Sequence, residues 1–140
     1  PSASLDPRMT VGEIIGEALD IHKLCSSKAE RTDRIKELLG MVGLNTEHAN
    51  RYPHEFSGGQ QQRVGIARAF AAKPAVIFAD EPTGNLDQKN SREIIDLLKL
   101  SNRNLKQTIL LITHDEKIAL EADRIVTIED GRIISDEKRG

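Results

Sequence analysis

At 140 residues the chain has the length of about one small domain, enough to bury a core without staples. Charged residues make up 30% and apolar ones 38%, yet the formal net charge is only -2. This excludes both an acidic tail and the positive field a nucleic acid would call for, so no nucleic-acid partner is expected. The single Cys25 excludes an internal disulfide. With no secretory leader legible at the start and no apolar run near the roughly 20 residues of a membrane span, the chain reads as cytosolic, with any membrane role held through partners.

The opening "PSASLDPRMTV" is rich in Ser and Pro and reads as a loop, with Thr10 placed to cap a helix through "VGEIIGEALDIH". A polar break, "CSSKAERTD", precedes "RIKELLGMVGL", where Ile35, Leu38, Leu39 and Val42 recur at helical spacing and Gly43 stands at the stop. After the turn-rich "NTEHANRYPHEF", Ser57 is the N-cap candidate of a third helix, "GGQQQRVGIARAFAA", which ends before Pro74. From Ala75 the pattern changes. "AVIFA" is a continuous apolar run, expected to be a strand covered on both faces. "QKNSREIIDLLKLSNR" is helical, "QTILLIT" is a second strand, and "EKIALEA" is a short helix. "RIVTIEDGRIIS" reads as two strands turning at Asp130-Gly131, followed by a solvated "DEKRG". Helices followed by alternating strand and helix make a helical subdomain attached to an α/β core.

Two carboxylates, Asp80 and Glu81, close the first strand, and the carboxyl edge of a parallel sheet is where α/β proteins place ligands. An Asp there suits a Mg²⁺ ion carried by nucleotide phosphates, which takes one or two protein carboxylates and keeps its waters. Glu81 is then free to orient or deprotonate an attacking water. The same Asp-Glu-Pro is, taken alone, equally a polar strand exit. Gly58 and Gly59 open the third helix, where free amides and the positive end of the helix dipole attract an anion and no Cβ bars a phosphate; Ser57 adds a hydroxyl. That feature alone is also an ordinary capped helix start. "LLITHD" brings His114 to the sheet edge that holds Asp80 and Glu81, within reach of a γ-phosphate. His22, His48 and His54 fall in the helical half or its connector, with no zinc-like spacing.

"FSGGQQQR", "AVIFADEP", "GNLD" and "ITHD", in that order and spacing, resemble the signature motif, Walker B strand, D-loop and H-loop of the ATP-binding-cassette (ABC) ATPases. The resemblance takes in "SLDPRMTVGEIIGEAL", similar to the segment after the Q-loop of peptide-importer cassettes, and "RIVTIEDGRI", similar to the closing hairpin. It implies a P-loop NTPase-like α/β fold, here a partial parallel sheet with an attached α-helical subdomain: residues 1–73 with the signature motif, and 74–140 with the C-terminal part of the core. Ser57, Gly58, Gly59 and Gln60 would touch the γ-phosphate of ATP held by a second nucleotide-binding domain in a head-to-tail dimer. Asp80 would organise Mg²⁺, Glu81 would act on water, Asp87 would bridge the dimer interface and His114 would hold the γ-phosphate. Phe56 stands where many members have Leu. Transmembrane permease subunits are the other implied partners, which would place the protein in the cytoplasm, peripheral to the membrane.

The chain contains no G-x-x-x-x-G-K-[ST] sequence, the loop that cradles the β- and γ-phosphates, and lacks the Q-loop glutamine, which in the family falls just ahead of where Pro1 stands. It is therefore expected to be the C-terminal part of a nucleotide-binding domain that powers transport, inactive as an ATPase by itself. The first half resembles peptide importers, while "ADEPTGNLD" is more similar to lipoprotein-release and macrolide-export cassettes, so a composite origin stays open. The other readings are a soluble cassette ATPase of DNA repair or translation and a non-catalytic binding module.

Overall fold

The structure, a computed structural model, describes residues 5–84 and 86–139. The first four residues of the expected opening loop, Asn85 of the Gly-Asn-Leu-Asp stretch and Gly140 of the tail lie outside the described residues. α1 (Val11–Ile21) begins with a reciprocal cap: Glu13 N donates to Thr10 Oγ1 at 3.1 Å, and Thr10 N donates to Glu13 Oε1 at 2.9 Å. Two further first-turn amides are met by a crossing loop, Val11 N on Arg51 O at 2.8 Å and Gly12 N on Ala49 O at 2.7 Å. That approach requires glycine, since a Cβ at position 12 would lie 2.8 Å from Ala49 O.

α2 (Lys28–Met41) starts earlier than its apolar periodicity announces. Glu30 N donates to Ser27 Oγ at 3.1 Å, and the Glu30 carboxylate accepts from Ser26 Oγ at 2.6 Å, so half of the expected polar break is the capped first turn. Gly43 follows at φ 78, as a C-terminal stop requires. α3 (Gly58–Ala71) is capped by Ser57. The three helices pack on one another through Ile15, Leu19, Leu38, Leu39 and Val64, all essentially without solvent contact, each contributing on the order of 1.5–3 kcal/mol.

β1 (Val76–Asp80) and β2 (Thr108–Ile112) pair in parallel, Val76 opposite Thr108 through Asp80 opposite Ile112. α4 (Gln88–Asn104) is the crossover between them. Buried Gln107 fastens its end, accepting from Ser101 Oγ at 2.5 Å and donating to Pro74 O at 3.2 Å. The expectation that β1 is covered on both faces is corrected. Ile77 and Ala79 join the core with Phe70, Ile94 and Leu98, whereas Val76 and Phe78 on the opposite face are 40% and 70% exposed. The helices lie on one side only, and among the described residues nothing covers the other.

α5 (Glu116–Ala119) leads to the antiparallel β3 (Arg124–Glu129) and β4 (Arg132–Lys138). Asp130 and Gly131 both take positive φ, 50° and 75°, which is the two-residue turn expected from Asp-Gly. β4 runs on to Lys138, where a solvated tail was expected: Lys138 pairs with Arg124, whose guanidinium grips Asp136 at 2.6 and 2.8 Å. The side chains there are nonetheless exposed.

Candidate functional site

The two parallel strands end side by side, and the residues just beyond them meet. Glu81 N donates to Ile112 O at 2.7 Å, extending the ladder by one residue. The backbone then turns sharply: Glu81 has φ 46, a left-handed conformation that costs a non-glycine residue on the order of 1 kcal/mol or more. Gly84 N closes the turn on Glu81 O at 3.1 Å. This geometry carries the side chain to the end of β2. There Oε1 accepts from His114 N at 2.8 Å and lies 2.5 Å from His114 Nδ1, while Oε2 accepts from Thr113 Oγ1 at 3.3 Å.

The His114 ring is foremost in holding the Glu81 carboxyl below the usual range, against the opposing effect of partial burial; backbone and Thr113 donors add to it. The group is therefore ionised at neutral pH, a good acceptor and orienter but a weak proton base. The His114 side chain is 92% exposed, and Nδ1 is engaged by Glu81. Asp80 is exposed at the strand end. Among the described residues no group of three or more His, Cys, Asp or Glu could cage a metal ion. A lone carboxylate fits the one ion that needs no cage, Mg²⁺ arriving with phosphates.

The glycine-rich turn is a separate structure. Gln60 N donates to Ser57 Oγ at 3.2 Å and Ser57 N donates to Gln60 Oε1 at 2.9 Å. Gly58 is exposed and a Cβ built on it meets nothing within 4 Å, so no local packing requires glycine there. Gly59 is buried: a Cβ would lie 3.3 Å from Asn90 Oδ1 and 3.7 Å from Leu86 Cδ2. Asp87, expected at a dimer interface, caps α4 in this chain by accepting from Asn90 N at 2.8 Å. Among the described residues no hydrogen bond joins Ser57 or Gln60 to Asp80, Glu81 or His114, so the structure brings Glu81 and His114 together and leaves the turn apart.

Sequence reasoning passed over Thr113, whose hydroxyl bonds Glu81 and accepts from Asp115 N at 3.0 Å, although it stands within the motif. It also passed over Arg63, Asn90 and Glu93, which tie α3 to α4; Arg63 and Glu93 are 30 residues apart, and no local signal links them.

A capped, glycine-opened helix start, a carboxylate bonded to an imidazole beyond the ends of two parallel strands, and the βαβ crossover between those strands define the class of α/β proteins whose ligands lie at the carboxyl edge of the sheet. Comparison with known proteins agrees. The ABC transporter family model matches residues 2–84, taking in Ser57 to Gln60, Asp80 and Glu81, and the chain belongs to that family. It is 52% identical over 135 residues to the oligopeptide transport ATP-binding protein OppF of Bacillus subtilis, covering 96% of this chain and 44% of that protein. It is 46% identical over 135 residues to the dipeptide transport ATP-binding protein DppF of Lactococcus lactis, covering 96% and 43%. The chain thus spans less than half the length of these relatives, and the matches run through both of its halves. Among solved structures, the dimeric structure of MJ0796, a bacterial ABC transporter cassette, is similar with a TM-score of 0.86 at 41% identity, over 98% of this chain and 60% of that one. A dimeric post-hydrolysis state of the same cassette bound to ADP and Pi gives 0.86 at 40%, with the same coverage. The α/β fold with a partial parallel sheet is therefore that of an ABC cassette.

Proposed function

We propose that the chain is the signature, Walker B, D-loop and H-loop part of the ATP-binding subunit of a peptide importer, and that it takes part in ATP hydrolysis within the complete domain. The observation that carries this reading is the joining of Glu81 to His114 across the ends of two parallel strands, 2.5 Å between Oε1 and Nδ1. The peptide-transport names of the relatives support the substrate class. Residues 1–73 act as the helical subdomain and 74–140 as part of the core. An uncovered apolar row, Val76, Phe78, Leu110 and Ile112, supports a sheet that is completed elsewhere in a longer protein.

In this reading Glu81, ionised and held at three points by Thr113 and His114, orients the attacking water. His114 positions that carboxylate through Nδ1 and has the rest of its exposed ring for the γ-phosphate. Asp80 would hold Mg²⁺, which when bound neutralises charge on the phosphates. The Ser57–Gln60 turn offers its amides to ATP on a second domain, head to tail, with Asp87 near that junction. No helix among the described residues is long and apolar enough to cross a membrane, which fits a cytoplasmic subunit attached through permease partners.

In the full-length protein Glu81→Gln is expected to keep ATP binding and to lower single-turnover hydrolysis by about 10²-fold or more, the order of cost when the group that positions the attacking water is lost. Wild-type hydrolysis in that variant would refute the assignment.

A further inference from the structure

The Arg63 side chain, only 15% exposed, joins three helices. Its Nη1 donates to Val42 O at the end of α2, at 2.7 Å, and its Nη2 pairs with the Glu93 carboxylate on α4. Gly43 keeps room for it: at φ +78 it carries no Cβ, which would otherwise stand 2.9 Å from Nη1. About one turn nearer the start of each helix, Gly59 rests against Asn90, and Asn90 is fixed by Asp87, whose Oδ1 accepts from its N at 2.8 Å and its Nδ2 at 3.1 Å. A single glycine contact lets one helix pivot on another. A second, charged contact a turn further on stops the pivot, because a guanidinium fork fixes direction as well as distance.

We infer that Arg63 is a positioning residue: through Glu93 and the Val42 carbonyl it holds the Ser57–Gln60 turn at a set place against the start of α4, and so relative to the strand that delivers Asp80 and Glu81. It touches no nucleotide itself. The inference rests on the proposed role of that turn at a second domain's ATP. Lysine would not replace it, since one ammonium lacks the fork that reaches the Val42 carbonyl and the Glu93 carboxylate together.

The test is a double-mutant cycle on ATP-driven dimerisation of the full-length protein in a Glu81→Gln background, with Arg63→Gln, Glu93→Gln and the double variant. Monomer ATP affinity and the melting temperature are read alongside. Each single change is expected to weaken dimerisation about tenfold with monomer ATP affinity unchanged, and the double change to weaken it no further. Glu93→Asp should recover most of the loss, which a general loss of stability would not. Glu93 is 44% exposed, so its variants carry the test even where Arg63→Gln folds poorly. Additive effects, or dimerisation within twofold of the parent for a folded Glu93→Gln, overturn the inference. Ser57→Arg is the control: if it leaves the dimer intact, the parent reading fails and this inference with it. If it abolishes the dimer while the Glu93 variants do not, only this inference fails.

Discussion

Alanine at position 58 separates folding from function at the glycine pair. Gly58 is the first residue of α3, its backbone is helical, and an added Cβ meets nothing within 4 Å. Replacing it removes conformational freedom from the unfolded chain without straining the folded one, a gain of about 0.5–1 kcal/mol. For a domain of this size that raises the melting temperature by about 2–4 °C. Gly59→Ala gains the same freedom but brings a methyl to 3.3 Å from Asn90 Oδ1 and 3.4 Å from its Cγ, so Asn90 must yield by a few tenths of an ångström. Its net effect is expected within about 0.5 kcal/mol of zero. In the proposed role of the turn, the Gly58 methyl, which projects into open space at the helix start, stands where a phosphate would approach. ATP-driven dimerisation of full-length Gly58→Ala should therefore fall about tenfold or more, equivalent to about 1.4 kcal/mol, whereas the Gly59 methyl lies against Asn90 and Leu86. Thermal melts followed by circular dichroism, paired with size-exclusion chromatography in the presence of ATP, read the two effects separately. A Gly58→Ala variant that melts below the parent would show that the fold requires this glycine. One that melts above it and dimerises normally would remove the phosphate reading of the turn.

Two further perturbations test the packing around the site. Gly12→Ala sets a Cβ 2.8 Å from a backbone carbonyl that cannot swing away, so it should destabilise by about 1–3 kcal/mol in urea unfolding. A neutral result would mean that the loop over α1 is free to move. Glu121 bonds Arg92 and Lys99 on α4, both at 2.7 Å, and these contacts, Arg92 first, lower its pKa from 4.5 to about 2. A carboxyl with a depressed folded pKa adds stability that is full above pH 4.5 and lost as the pH falls toward 2. At 30% exposure of the side chain the contribution is screened to roughly 1 kcal/mol. The unfolding midpoint of Glu121→Gln should therefore lie below that of the parent at pH 7 and converge with it near pH 2; parallel curves would show the network to be inert.

The helices and the hairpin were legible along the chain because their causes are local. Thr10 and Ser57 cap amides three residues on, Ile94 and Leu98 recur at helical period, and Asp130-Gly131 supplies the two positive φ values of a tight turn. The motif residues were legible too, since strand ends and helix starts fix which groups reach an edge. The start of α2 was misjudged because its first turn is polar and rests on Ser27 and Glu30, with no apolar period to mark it. What only the tertiary structure decided are the relations across distance. The left-handed backbone of Glu81, its bond to His114 33 residues on, and the tie of Arg63 to Glu93 exist because β2 and α4 are brought alongside. The bare face of β1 belongs here as well. Residue order states that Val76 and Phe78 are apolar, but whether a neighbour covers them depends on which elements pack against that side, and such contacts leave no periodic trace in the strand itself.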